Sequence, residues 1–440
     1  MSAFLFTSQP AMGHLTPMLT IAARLVERGH TVVFACPVPE RVEQGVTGKG
    51  FRLVGLPMPV GAAGLAMLPL LRGFVETAWA ARMFFAGLVP LARSLLPVID
   101  ELKPAAVVSD FGFPAAGLAA EIRGLPHAVV YSAGLVFAGP GIPPWGSGLP
   151  IGEAPGWRGR VFGWASRRTW GSIERAVARA RRRLDLAPTA ARGAQCFCSP
   201  WLTLLLTAEV CEAPRSDVPD AAWFVGPCFA GRQADPGDGF PYDRLAPDRP
   251  KVYVSLGTVF NDRPRVFRRI IEAFPDGRCQ VVVSAGGAYE ALRAGPCPEH
   301  VMLFPRVPQV GVLPRVDAVI SHGGNNTVNE TLAAGKPLLV MPVGGEQGDN
   351  AARVVWLGAG LRAGLNSSSP EEIGGKVRRL MEEPGFRRRT EEIAAELRRI
   401  DGTHTAARFV ERLAESRKPI SRPAGYPRTV TTDLAPPWEG

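Results

Sequence analysis

Residues 318–351 read AVISHGGNNTVNETLAAGKPLLVMPVGGEQGDNA, and this stretch decides the fold. The apolar run Ala318 to Ile320 stops at Ser321-His322-Gly323-Gly324. Asn325-Asn326-Thr327 then opens a helical pattern with Glu330 one turn in, and a second apolar run, Pro337 to Val343, ends at Gly344-Gly345-Glu346-Gln347. Strand, glycine loop, helix, strand and loop make one βαβ unit of a parallel sheet. Ligands of such sheets bind beyond the carboxyl ends of the strands, where both polar loops fall. A helix start offers free N–H groups and the positive end of a dipole, which suit an anion, and two glycines let backbone approach a phosphate. His322 adds a donor able to carry charge, and Asn326 or Thr327 can cap the helix or donate to the same anion. An N-capped helix after a tight turn, with no ligand, also fits the spacing.

Glu346-Gln347 and Asn350, one strand later, supply a second polar cluster, so the two loops together suit a diphosphate carrying a polyhydroxyl group. The run His322-Gly323-Gly324-Asn325-Asn326-Thr327-x-x-Glu330, then Pro342, Glu346-Gln347 and Asn350, resembles the donor signature of UDP-dependent glycosyltransferases. These are inverting, metal-independent enzymes of the GT-B fold, with two Rossmann-like α/β domains facing a cleft. The resemblance implies that His322 and the amides near Gly324, Asn326 and Thr327 hold the diphosphate, Glu330 the ribose, and Glu346 and Gln347 the sugar. It extends to Ser255-Leu256-Gly257-Thr258, a loop facing the donor phosphates, and to Val307-Pro308-Gln309. Arg306 stands where the family often has an aromatic residue stacking on uracil; a guanidinium plane can stack on a base as well.

Working back along the chain, Phe4 to Thr7 is a strand, Ser8 to His14 reads as a loop, and Pro17 suits the first turn of a helix. Ala105 to Ser109 is a later strand of the same sheet, ending at Asp110. His14 and Asp110 thus share one carboxyl edge, where a carboxylate can fix the tautomer of a histidine and make it a better base. A capping histidine and an unrelated N-capping aspartate satisfy the same spacing. Gly13-His14-Leu15-x-Pro17 resembles the family's first loop, which implies His14 as general base and Asp110 as its orienting carboxylate. Asp110-Phe111-Gly112 also spells the kinase metal triplet, but no His-Arg-Asp loop accompanies it.

Two apolar regions are candidates for an acceptor pocket: Met58 to Phe85, including Met67 and Phe84, and Tyr131 to Trp145, including Phe137; Met12 joins them from the first loop. Most such residues form core. Helical patterns over Leu65 to Leu102 carry expected breaks at Pro69, Pro90 and Pro97. The segment Arg167 to Arg183, with Trp164, Trp170, Ile173 and Val177, reads as a basic helix, either a solvated face or a membrane-surface contact.

Residues 230–250 are rich in Gly, Pro and Asp and read as a linker between an acceptor domain, 1–229, and a nucleotide-sugar domain, 251–416, with a tail at 417–440. The 440 residues suit two domains, and 46% hydrophobic with 20% charged residues is the composition of a globular protein. Of the 50 basic residues six are lysines and 44 arginines, and the net charge of +10 favours anionic ligands or surfaces. Seven scattered cysteines lack zinc spacing and suit free thiols in a reducing compartment. Met1-Ser2-Ala3-Phe4 has no basic n-region, so a cytoplasmic location is expected. No Asp-x-Asp pair occurs, which favours neutralisation of a diphosphate by helix dipole and donors, with no metal and no cofactor beyond the sugar nucleotide.

The expected activity is inverting transfer of a sugar, with glucose suggested by Glu346 and Gln347, from UDP to a hydroxyl of a hydrophobic small molecule such as a macrolide, polyphenol or carotenoid. A membrane-surface lipid glycosyltransferase and a non-catalytic sugar-nucleotide-binding protein are the alternatives. Nucleic acid is not an expected partner, and a monomer or weak dimer is expected.

Overall fold

The computed structural model of the chain describes residues 1–58, 85, 87–154, 156–229, 239–257, 261–432 and 438. Two wholly parallel sheets organise it. The first contains β1 (Ala3–Thr7), β2 (Thr31–Pro37), β3 (Arg52–Leu56), β4 (Ala106–Asp110), β5 (His127–Tyr131), β6 (Leu202–Leu205) and β7 (Ala222–Phe224), in the order β3-β2-β1-β4-β5-β6-β7. The second contains β8 (Lys251–Ser255), β9 (Gln280–Ser284), β10 (Val301–Phe304), β11 (Ala318–Ser321), β12 (Leu338–Val340) and β13 (Gly360–Arg362), in the order β10-β9-β8-β11-β12-β13. Each strand order reverses direction once, between β1 and β4 and between β8 and β11. Those switch points open the crevices in which doubly wound sheets bind ligands.

The described helices of eight residues or more are α1 (Met12–Glu27), α2 (Glu40–Thr47), α3 (Leu88–Leu102), α4 (Ala115–Ile122), α5 (Trp157–Arg183), α6 (Pro264–Glu272), α7 (Asn325–Ala333), α8 (Gln347–Trp356), α9 (Pro370–Glu382), α10 (Pro384–Leu397) and α11 (Gly402–Ser416). Strands buried on both faces, such as Ala106–Asp110, need helices on each side, and the described helices supply them. The last helix crosses back to the first domain. Ala406, Phe409, Val410 and Leu413 join Phe4, Leu15, Met18 and Trp223 in one core, and Glu411 receives Arg28 at 2.6 Å and His30 at 3.0 Å. The segment beyond it stays on that domain: Thr429 bridges Phe224 in parallel, and Ile420 accepts from the Trp223 indole at 2.8 Å.

Local expectations needed correction at the prolines. α1 begins at Met12, not after His14, and Pro17 lies inside it. α3 continues through Pro97 instead of breaking there. Residues 59–84, including the expected break at Pro69, lie outside the described residues, as does the linker over 230–238.

Candidate active site

His14 sits in the first turn of α1, directly after β1, and Asp110 ends β4, so the pair straddles the first switch point. Nδ1 of His14 lies 2.9 Å from Oδ2 of Asp110, and the backbone N–H of Gly112 donates to Oδ1 at 2.8 Å. The carboxylate is fully buried, while 22% of the His14 side chain is exposed. A Cβ at position 112 would meet Asp110 Oδ1 and the Gln9 amide at 2.9 Å, which explains the glycine. The Phe111 ring lies between His14, 5.2 Å away, and Tyr131, stacked at 4.4 Å. Burial pulls the His14 pKa down, but the charge and hydrogen bond of Asp110, helped by Glu346, outweigh it and leave the value above the ordinary 6.5. With Nδ1 committed to Asp110, Nε2 is the atom left for a proton, and it makes no hydrogen bond among the described residues.

The glycine loop straddles the second switch point in the same way, since Ser321 pairs with Ser255 of β8. His322 is wedged between Gly257 and Gly324: a Cβ at either position would stand 2.5 Å from its Nε2. Burial pushes its pKa down to about 4, so the imidazole is neutral at pH 7 and not the charged donor the sequence allowed. Its Nδ1 is buried without a partner among the described residues. Gly324 occupies the N-cap of α7 and no side chain caps the helix; neither Asn326 nor Thr327 does so, and the first-turn N–H groups stay available. Glu330 is buried and bonded to the Gln309 amide, whose oxygen accepts from Tyr253 at 3.2 Å and whose nitrogen lies 3.5 Å from Thr327. Tyr253, a member of this network, escaped the sequence reading because it lies within a strand pattern that reads as core. Arg306 is exposed at the mouth of the following loop, and Val307 packs on the core beside Gln309. Thr258 lies outside the described residues.

The Glu346-Gln347 loop starts α8. Gln347 is buried, and its side-chain oxygen already accepts from the backbone N–H groups of Val343 at 2.8 Å and Gly344 at 3.2 Å. Toward a ligand it therefore offers only its amide hydrogens, not the donor and acceptor together that the side chain carries in isolation. Glu346 reaches the first domain: its Cγ lies 3.7 Å from the position of a Cβ on Gly134.

The two switch points face each other across bonds that join the domains. Three asparagines of α7 donate to first-domain carbonyls: Asn325 to Ser132 at 2.9 Å, Asn326 to Gly13 at 2.9 Å, and Asn329 to Leu206 at 3.2 Å. The Gly13 carbonyl is free for Asn326 because the residue four positions on is Pro17, which has no N–H to return. Arg353 of α8 is buried against Glu212 and donates to Asn325 at 2.9 Å. Arg215 stands 3.6 Å from the same carboxylate. Asp349 accepts from Gly146 at 2.5 Å and Gly148 at 2.8 Å, and its burial pushes its pKa up to about 6. These cross-domain partners were not found in the sequence, since no local pattern pairs residues so far apart.

The acceptor candidates divide. Phe137 is fully buried and lines a cavity of about 200 Å³ with Trp145, Trp170, Arg215 and Asp349, at the junction of the domains. Tyr131 is buried in the core, stacked on Phe111, and its hydroxyl has no hydrogen bond among the described residues. Met12 turns toward α2, within 3.1 Å of a Cβ on Gly45, and packs on the core instead of the cleft. Met67 and Phe84 lie outside the described residues.

Residues 203–395 match the family described as UDP-glucoronosyl and UDP-glucosyl transferase. The chain is 29% identical to 4'-demethylrebeccamycin synthase of Lentzea aerocolonigenes over 87% of its own length and 92% of that protein's. It is 26% identical to the zeaxanthin glucosyltransferase of Pantoea ananas over 97% and 99% of the two chains. The crystal structure of CalG4, the calicheamicin glycosyltransferase, superposes with a TM-score of 0.74 at 22% identity, covering 94% of this chain and 98% of that one. Two parallel α/β sheets with these relatives define the class: this is a glycosyltransferase of the GT-B fold. The match to the UDP-glucoronosyl and UDP-glucosyl transferase family runs from the end of its first domain through most of its second.

Proposed function

We propose that this glycosyltransferase moves glucose from UDP-glucose to a hydroxyl of a hydrophobic natural product, inverting the anomeric centre. The observation that carries the reading is the His14–Asp110 pair, 2.9 Å apart, facing the uncapped start of α7 across a cleft bridged one residue away by Asn326 and Gly13. Nε2 of His14 takes the acceptor proton, and Asp110 stabilises the imidazolium that results. The freed oxygen attacks the anomeric carbon as its bond to the diphosphate breaks, through an oxocarbenium-like transition state. The charge gained by the departing diphosphate meets the α7 amides, Thr327 and the neutral His322. Metal-independent chemistry follows from that arrangement and is part of the proposal.

Glu330 and Gln309 suit the ribose hydroxyls, and exposed Arg306 suits the base. Glu346 accepts from sugar hydroxyls while Gln347 donates, so the pair favours a sugar with adjacent free hydroxyls. The zeaxanthin glucosyltransferase relative, by its name, supports glucose. The aromatic wall of the cavity at Phe137, with Trp145 and Trp170, supports an acceptor with a hydrophobic body, while Arg215 and Asp349 line it with charge. Incubation with UDP- and TDP-sugars against hydrophobic alcohols and phenols, read by mass spectrometry with His14→Ala as control, tests the reading. A hexose adduct formed from UDP-glucose and lost in the variant is expected. Equal turnover of a 4-deoxysugar donor refutes the sugar assignment, because a site built for a hydroxyl rejects its absence by up to ~10⁴-fold.

A further inference from the structure

We infer that the outer face of α5 seats this protein on an anionic membrane surface. The helix runs from Trp157 to Arg183, roughly 40 Å at 1.5 Å per residue. Its first half leaves Trp157, Val161 and Trp164 exposed by 70%, 53% and 54%, at helical spacing on one stripe. Buried positions of the same helix, Thr169, Ile173 and Ala180, face the domain instead. Large apolar side chains clustered in this way on a surface mark an interaction site.

The same stripe continues with Arg168, Arg175, Arg179 and Arg182, and Arg158, Arg160 and Arg167 flank its aromatic end. The helix holds a single acid, Glu174, and that carboxylate is turned inward to accept from the backbone of Gly193 at 2.8 Å. The outer face is therefore basic along its length and tipped with two tryptophans. Arg168 lies over the Trp164 ring at 4.5 Å, so charge and aromatic surface are presented together. Interfacial helices combine the same two features: aromatic residues enter the headgroup boundary while arginines meet anionic lipid. No helix among the described residues is long and apolar enough to cross a membrane, so the contact lies on the surface. The inner flank of α5, through Gly163, Ser166 and Trp170, forms a wall of the cavity at Phe137. The seat therefore lies on the same element as the cleft cavity.

Co-sedimentation of the full chain with phosphatidylcholine vesicles, with and without phosphatidylglycerol, tests the inference without reference to sugar transfer. Binding to the anionic vesicles is expected, at least ~10-fold above the zwitterionic ones, and falling at high salt as the Debye length shrinks. Trp157→Ser/Val161→Ser/Trp164→Ser should lower partitioning ~10-fold or more. Arg168→Gln/Arg175→Gln/Arg179→Gln should lower it by about fivefold per arginine and shrink the lipid-charge preference accordingly. Unchanged thermal melting of both variants shows that the fold is intact, since every altered side chain is exposed. Equal binding to both vesicle types overturns the inference, as does a triple serine variant that sediments as fully as the unaltered chain. A concentration-dependent dimer abolished by the serine variant, without vesicle binding, assigns the face to a second copy of the chain and also overturns it.

Discussion

Asp110→Asn should do more than weaken a hydrogen bond; it should place the His14 proton on the wrong nitrogen. The Gly112 N–H donates to Oδ1 at 2.8 Å and will keep the amide oxygen of an asparagine on that side. The NH₂ group must then take the place of Oδ2, 2.9 Å from His14 Nδ1. An amide NH₂ can only donate, so Nδ1 must accept and the imidazole proton moves to Nε2, the atom that should receive one from the acceptor. The lost tautomer and the lost counter-charge together predict a fall in kcat of ~10²–10⁴-fold, about 3–5 kcal/mol. Calorimetric titration with UDP should show affinity within about twofold of the unaltered protein, because Asp110 lies on the other side of the cleft. The pH profile supplies a second readout. Since the His14 pKa stands above 6.5, kcat/KM should rise with pH through a limb above 6.5. Without the Asp110 charge, burial outweighs the smaller pull of Glu346 and the limb moves below 6.5. The raised value also contributes stability that is complete below pH 6.5 and lost as pH rises through the folded-state pKa, so the limb and that loss coincide. A variant within twofold of full turnover, or an unmoved limb, refutes the argument.

Glu212→Ala should cost ~3–5 kcal/mol in urea unfolding, because it removes the carboxylate that buried Arg353 and Arg215 share, whereas Glu212→Leu/Arg353→Met should recover only part of it, since Arg215 stays buried without that carboxylate. Gly134→Ala should raise the KM for the donor about tenfold in steady-state assays: its Cβ would stand 2.7 Å from Asn350 Oδ1, and Asn350 holds the Gly323 carbonyl at 2.8 Å. Its kcat at saturating donor should change less. Turnover should survive excess EDTA, and loss restored by Mg²⁺ or Mn²⁺ would overturn the metal-independent reading of diphosphate departure.

The two switch-point loops were legible because short-range patterns specify them. Apolar runs of strand length end at Asp110 and Ser321, glycines mark the turns, and polar side chains follow at once. From parallel strands it follows that His14 and Asp110 share an edge, without any knowledge of the intervening chain. The rest was hidden for physical reasons. Pro17 and Pro97 sit inside helices whose packing overrides the local penalty of proline, so the helix starts and breaks drawn from them were misplaced. The three-residue strand Gly360–Arg362 is too short to carry a period. The commitment of Gln347 to the Val343 and Gly344 amides depends on a loop conformation. The partnership of Glu212 with Arg353 depends on how two domains meet. Met12 looked available for a ligand from its place near His14, but helix geometry puts two residues more than half a turn apart.

The bonds of the α7 asparagines are a fastening that can be undone without a large penalty. Each ends on a carbonyl that water can serve almost equally well, so undoing these three bonds trades one set of hydrogen bonds for another. A seam of that kind changes little with temperature, in contrast to one made of greasy side chains. Because the start of α7 is also where the leaving diphosphate would rest, the anion's arrival and departure act on the helix that carries the fastening. Turnover can then be paced by release of the spent nucleotide, and viscosity or product inhibition will reveal that pacing sooner than changes to the chemical step.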